Sequence, residues 1–265
     1  MEVVLEYNLR LAAGTNSRLT SGTRGLSDRS MRSAVRSLGQ ERSWRKQGAM
    51  QRQPGDVRDR GLECLRSRET NRRELDMKRP ILLDFPDSFE TERLLIRSPL
   101  PGDGPELHAA IKESLNELTP WMPWPKKHRT VEDSEASSRR ARVAFLERSE
   151  LRLHLYLKGT DTLVGSSGLQ GIDWEVPKFE IGYWCRTRFT GRGYTTEAVR
   201  GITAFAFEAL GARRVEIRCD SRNLPSTRVA EVAGFRFEGK LRNNEVGTDG
   251  VPRDTLIYAI TPEHR

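Results

Sequence analysis

The chain has 265 residues, of which 36% are hydrophobic and 31% charged, and a formal net charge of +8. That length can bury one good core and a small second one. No apolar run approaches the roughly 18 residues of a membrane-spanning helix, and no charged n-region followed by an apolar core opens the sequence, so a soluble protein is expected.

The charge is unevenly placed. Residues 1–76 hold 16 Lys+Arg against 10 Asp+Glu, which leaves the remainder at only +2. Nucleic acid is therefore not a required partner of that remainder. The three cysteines, Cys64, Cys185 and Cys219, lie far apart without a Cys-x-x-Cys spacing. They form no paired framework among themselves, and a reduced cytoplasmic compartment is expected.

Residues 1–79 read as a disordered basic extension, rich in Arg, Ser, Gly and Gln, with MEVVLEYNLRLAA its only apolar cluster. Such a segment buries too little apolar surface to offset its chain entropy. It reads as a basic arm for RNA, membrane or a partner, as an Arg-rich targeting peptide, against which Asp28, Glu41, Asp56 and Asp59 argue, or as a plain disordered extension or one that precedes a natural start at Met77, where the composition changes. Residues 80–265 read as one compact α/β domain.

Within that domain, residues 92–97 (ERLLIR) predict a strand and residues 101–113 a helix entered through a Pro/Gly/Asp turn. Trp121, Met122, Pro123, Trp124 and Pro125 form a rigid aromatic loop. Residues 131–149 predict a longer, highly charged helix. Strands follow over 153–157, 163–171 and 179–185, with turns at 159–161 and 173–177. Residues 195–210 predict a helix, with Val199, Ile202, Ala206 and Leu210 on one face. The chain closes with a strand at 214–219, a short helix at 225–233 ended by Gly234, and strands at 235–241 and 255–260.

Between the strand at 179–185 and the next helix lies the pattern Arg188-x-x-Gly191-x-Gly193. Two glycines let the backbone turn sharply and clear the Cβ atoms that would block a ligand. The helix behind them directs unpaired N–H groups at the turn, which suits a pyrophosphate. A Walker-type site needs Gly-Lys-Ser/Thr, whereas Gly193 is followed by Tyr194, Thr195 and Thr196. A dinucleotide site has an acidic residue at the end of the next strand, and Asp220 is there, but Thr196 replaces its third glycine.

A third reading accounts for more residues. The segment 179–239 resembles the acyl-coenzyme A core of the GNAT N-acetyltransferase superfamily. The likeness rests on Arg188, Gly191 and Gly193, then on Asn223-x-x-Ser226 and Ala233-Gly234-Phe235 after the strand 215–220. Thr91–Arg97 (TERLLIR), the Trp121–Trp124 loop, Gly182-Tyr183-Trp184, and the closing Glu238-Gly239-x-Leu241 with Asp254 and Tyr258 narrow it to the RimJ/RimL branch, over roughly residues 88–261.

The resemblance implies an α/β fold with a mixed sheet of about seven strands and about four helices, splayed at an acetyl-CoA site. Backbone N–H groups from Arg188 to Thr195 would hold the pyrophosphate, with Arg192 or Arg188 adding charge. Pantetheine would pair with the strand end at Tyr183, Trp184, Cys185 and Arg186 and lie beside Asn223 and Ser226. Glu245, in LRNNEVGTDG, matches the acidic position proposed as general base through a water in RimL-type enzymes. A carboxylate suits that role only where burial raises its pKa or a water relays the proton, although an α-amine titrating near ~8 needs little help. Ser226 matches the position proposed to protonate the leaving sulfur, with Tyr194 as another possible donor. Asn223 and Ser226 equally suit a plain helix-start role.

Trp121 and Trp124 would form a wall of the acceptor pocket or act as core anchors. His108, His128 and His154 have no metal-like spacing, and no metal is expected. The activity implied is direct transfer of acetyl from acetyl-CoA to a primary amine, foremost a protein N-terminus, with homodimerisation left open. Glu113, Glu117, Glu132, Asp133 and Glu135 around the Trp loop keep a polyamine or antibiotic acceptor in play. A non-catalytic acyl-CoA-binding regulator is the reading from another class.

Overall fold

The structure is a computed structural model and describes residues 79–127 and 130–264. The expected extension, residues 1–79, apart from Arg79 itself, lies outside the described residues, as do Cys64 and His128.

Among the described residues, eight strands form one sheet: β1 (Ser88–Glu90), β2 (Leu94–Arg97), β3 (Leu151–Leu157), β4 (Leu163–Asp173), β5 (Lys178–Cys185), β6 (Arg214–Asp220), β7 (Arg236–Val246) and β8 (Pro252–Ile260). Their order across the sheet is β1-β2-β3-β4-β5-β6-β8-β7. Five α-helices among the described residues join them: α1 (Gly104–Glu113), α2 (Leu115–Leu118), α3 (Val131–Glu147), α4 (Tyr194–Glu208) and α5 (Leu224–Ala233). The strand beyond the seven expected is β1, whose three residues are too few to show alternation. The helix beyond the four expected is the single turn α2. β7 also runs past the predicted end at 241, because polar residues there pair by backbone with β8, Glu245 facing Arg253 and Val246 facing Pro252.

Alternation along β5 divides the packing between two faces. Phe179, Ile181, Tyr183 and Cys185 join Val215, Ile217 and Cys219 of β6 in a core that takes Val199, Ile202 and Ala206 of α4 and Val229 and Ala230 of α5. Each fully buried side chain of that size contributes about 1.5–3 kcal/mol of transfer free energy. Trp184 faces the other way. With Tyr156 and Leu163 it packs under Leu107, Ala110 and Ile111 of α1, together with Leu118, Met122 and Trp124. α3 starts on a reciprocal cap in which Thr130 and Asp133 each accept the other's backbone N–H at 3.1 Å.

All neighbouring strands pair antiparallel except β5 and β6. That parallel pair is in register only over Lys178↔Arg214, Phe179↔Val215 and Glu180↔Glu216. β5 then runs on to Cys185 and β6 to Asp220, so the sheet parts between them. The parting opens toward the glycine turn.

Candidate active site

After β5 the chain makes a 3-10 turn at Thr187–Phe189 and enters α4 through Gly191 and Gly193, at φ +73° and +78°. A Cβ on Gly191 would meet nothing within 4 Å, and one on Gly193 would lie 3.6 Å from Arg93 Nη2. Both positions favour glycine for their backbone angle rather than for crowding. No side chain caps α4, so the N–H groups of its first turn, from Tyr194 and Thr195 onward, face the turn. Beside it lies a cavity of ≈ 740 Å³ lined by Thr91, Arg93, Gly191, Gly193, Thr196 and Arg200, among others.

The cation at this turn is one that sequence reasoning missed. Arg93 donates from Nε to Glu197 Oε2 at 2.6 Å and from Nη1 to the Arg192 carbonyl at 3.0 Å, and it lies 4.3 Å over the Tyr194 ring. Thr91 Oγ1 and the Arg93 N–H both donate to Glu197 Oε1. TERLLIR read as a strand, and nothing in it showed that its arginine bridges to residues about a hundred positions away.

Arg188, expected to add charge here, turns elsewhere. Its Nε donates to both oxygens of Glu113 at 2.8 Å, and its backbone N–H donates to Glu113 Oε1 at 3.1 Å. The buried Arg186 donates from Nε to Glu113 Oε2 and from Nη1 to Glu106 Oε1, both at 2.7 Å. Its backbone N–H goes to the Val164 carbonyl at 2.7 Å. The Arg188 and Arg186 guanidiniums hold the Glu113 carboxyl down to about 2, against a smaller burial effect that raises it. The two arginines therefore brace α1 against the end of β5. The Arg192 guanidinium lies 5.8 Å over the Phe189 ring.

Across the parted strands, Tyr183 and Ser226 meet. Both are fully buried. Tyr183 Oη donates to the Ser226 carbonyl at 3.2 Å and stands 3.2 Å from Ser226 Oγ. Asn223 Oδ1 accepts the Ser226 N–H at 3.2 Å and caps α5. The Asn-x-x-Ser spacing thus has the helix-start geometry that the sequence allowed.

On the opposite face, the Trp124 and Trp184 rings lie 5.9 Å apart, with Trp121 half-buried against the same cluster. Thr248, in the β7–β8 turn, donates to the Pro120 carbonyl at 2.6 Å, joining that turn to the Trp loop. A second cavity of ≈ 410 Å³ lies there, lined by Leu115, Asn116, Thr119, Pro120, Thr248 and Asp249. Strand register puts Glu180, Glu216, Arg218 and Asp220 on the same sheet face as Trp184. Glu245, on β7 rather than in a loop, is ion-paired with buried Arg253, whose burial lowers its pKa to about 10. Arg253 Nη1 also lies 3.8 Å from Asp220.

Among the described residues, no group of three or more His, Cys, Asp and Glu side chains is arranged to hold a metal, and no helix is long and apolar enough to cross a membrane. His154 is buried 3.9 Å from Asp103 and 3.2 Å from Ser166 Oγ, and His108 is half-buried on α1. Cys185 and Cys219 are buried and unbridged.

The pattern of the Acetyltransferase (GNAT) domain matches residues 93–236, more than half of the chain, and takes in the parted strands, the glycine turn and α5. The chain belongs to the GNAT acetyltransferase family. It is an acetyl-CoA-dependent N-acetyltransferase of GNAT type, and the mixed sheet with its parted strands is the GNAT fold. "Uncharacterized N-acetyltransferase p20" of Bacillus licheniformis is 33% identical over 100 residues, which span 38% of this chain and 56% of that protein. "Putative ribosomal N-acetyltransferase YdaF" of Bacillus subtilis (strain 168) is 31% identical over 172 residues, or 64% of this chain and 91% of its own length. Among solved structures, Mycobacterium smegmatis RimJ in complex with CoA-disulfide superposes with a TM-score of 0.62 at 26% identity, covering 68% of this chain and 89% of that one.

The GNAT site here fits acetyl-CoA on its own observations. The first turn of α4 is uncapped, open space faces the Gly191 Cβ position, and the strands part beside it.

Proposed function

We propose that this GNAT enzyme acetylates the N-terminal α-amine of a protein, by direct transfer in a ternary complex with acetyl-CoA. Acidic walls would favour a polyamine or an aminoglycoside, and the five acids that cluster in sequence around the Trp loop do not supply them. Glu113 is taken by Arg186 and Arg188, and Glu117 accepts from Thr187 Oγ1 at 3.1 Å. Glu135 holds Arg139 and the Gly102 and Gly104 N–H groups, Asp133 is spent in the α3 cap, and Glu132 sits in the same first turn. That engagement of the acids carries the reading. The names of relatives such as YdaF, which point to ribosomal acceptors, agree with it.

In this reading the first-turn N–H groups of α4, with Arg93 and Arg192 nearby, hold the pyrophosphate. The β5 main chain from Tyr183 to Cys185 lines the pantetheine path on its β6 side. When bound, acetyl-CoA supplies the activated acetyl group. The Tyr183–Ser226 pair spans the parted strands and gives a proton to the departing sulfur. Trp121 and Trp124, with the β7–β8 turn, wall the acceptor site. Glu245 seats that hairpin through its ion pair with Arg253. The catalytic domain is placed at residues 80–265, with residues 1–79 outside the chemistry.

The test is incubation of the protein with acetyl-CoA and peptides of varied N-terminal residue beside small amines. Acetylation of α-amines is expected. Reaction of polyamines or aminoglycosides alone would overturn the acceptor class.

A further inference from the structure

The β7–β8 turn, residues 247–251, reaches out of its hairpin at two adjacent side chains that meet different parts of the fold. Thr248 Oγ1 donates to the Pro120 carbonyl at 2.6 Å, beside the Trp loop. Asp249 Oδ2 accepts from Arg222 Nη1 at 2.8 Å, at the junction of β6 and α5. Between the turn and α2 lies the ≈ 410 Å³ cavity, whose lining includes Leu115, Asn116, Pro120, Thr248 and Asp249.

Arg222 does not serve Asp249 alone. Its Nη2 donates to Asp220 Oδ2 at 2.7 Å, and its Nε lies 3.1 Å from both Asp220 oxygens. Asp220 is buried at the end of β6, so a fixed carboxylate aims the guanidinium, and Nη1 is the nitrogen it presents to the turn. The next residue, Asn223, accepts the Ser226 N–H and caps α5, and Ser226 meets Tyr183 across the parted strands. Arg222 therefore touches the turn that bounds the cavity and adjoins the cap that seats Ser226.

The turn leaves room for this contact. Asp249 Oδ1 accepts the Val251 N–H at 3.0 Å, which leaves Oδ2 for Arg222. The Gly247 N–H donates to the Val251 carbonyl and the Gly250 N–H to the Gly247 carbonyl, both at 2.9 Å. Gly247 is not at positive φ, so its backbone angle does not ask for glycine. Space does: a Cβ there would stand 2.6 Å from Asp249 Oδ1 and 2.9 Å from Arg222 Nη2.

We propose that Arg222 is a positioning residue of the transfer step. Through Asp249 it holds the β7–β8 turn against the acceptor, at a fixed distance from the α5 start where the sulfur departs. An amine seated in the cavity then meets the thioester at bonding distance. The inference rests on the amine-acetylation reading above. The Arg222 and Asp249 side chains are 46% and 48% exposed, and an ion pair so exposed adds little to stability. Misplacing a reacting group by about 1 Å, in contrast, costs about 10²-fold in rate. The pair should therefore show in acceptor kinetics and hardly at all in folding.

The test uses D249N in the full chain, because the amide keeps an oxygen for the Val251 N–H and leaves Arg222 on Asp220. Wild type is first assayed with Ala-, Ser- and Met-initiated peptides and spermidine, and the fastest acceptor is used throughout. A fast reaction with spermidine alone would count against the peptide reading, and the same variants then test the inference on spermidine. Acetyl-CoA affinity by calorimetry should stay within about twofold of wild type. For D249N, kcat/KM for the acceptor should fall by about tenfold or more, and amide hydrogen exchange at Gly247 and Gly250 should quicken. G247A, which pushes the pair apart without altering either charge, should reproduce both effects. Added to R222Q, D249N should cost less than about twofold more, because the pair is already broken. A D249N enzyme with wild-type acceptor kinetics would overturn the inference. So would an equal loss of acetyl-CoA affinity, which marks a general loosening of the fold.

Discussion

Replacing Tyr183 with Phe removes one hydroxyl from the middle of the parted strands. That hydroxyl sits 3.2 Å from both the carbonyl and the Oγ of Ser226, and neither residue is exposed. The Ser226 carbonyl, inside α5, keeps its helical partner, but Oγ loses its partner across the gap. A net neutral hydrogen bond contributes about 1 kcal/mol, and a buried group left unpaired costs about 1–3 kcal/mol. The expected loss is therefore about 2 kcal/mol, which lowers Tm by about 4–8 °C in a domain of this size. Ser226→Ala removes the same contact from the other side. Urea denaturation of both single variants and the double variant should give a coupling of about 1 kcal/mol. The same cycle in kcat should be strongly non-additive if the pair acts as one proton donor. Losses that add within about 0.3 kcal/mol in stability, with each substitution slowing turnover independently, would refute the pairing.

Three further outcomes follow from the geometry. Gly191→Ala puts a Cβ into open space at φ +73°, so stability should fall by about 1 kcal/mol, and calorimetry should show acetyl-CoA affinity reduced about tenfold or more. Unchanged affinity would place the pyrophosphate elsewhere. The Glu113 carboxyl is depressed from 4.5 to about 2 by Arg188 and Arg186. Its stabilisation is thus present above pH 4.5 and lost as the pH falls toward 2. With Arg188 largely in solvent, that amounts to about 1–2 kcal/mol, and Glu113→Gln should flatten urea midpoints over that window. An unchanged slope would mean that the clamp adds nothing. Burial holds the His154 imidazole neutral down to about 3 from an ordinary 6.5. Its contribution is complete above pH 6.5 and drains as the pH falls toward 3. An NMR titration should show no His154 protonation near pH 6.5, and a midpoint there would contradict the burial.

The elements that could be read from sequence were those whose cause is local. β5 and α4 carried their own periodicity, and Gly191 and Gly193 declared a turn that only glycine adopts freely. What stayed hidden depends on distant partners. Arg188 reads as a phosphate ligand until Glu113, 75 positions earlier, is seen to hold it. Arg93 reads as a strand residue until it reaches Glu197, 104 positions later. The end of β7 was missed because Asn243, Asn244 and Glu245 lack alternation, and their strand is set by pairing with Arg253 and its neighbours.

The most direct test of the account is mass spectrometry of peptides incubated with the full chain and acetyl-CoA, with fragmentation to locate the added group. The account predicts acetyl on the N-terminal α-amine, with the rate abolished or sharply reduced by Gly191→Ala. Acetyl found only on lysine side chains or on small amines, with every α-amine left free, would contradict it.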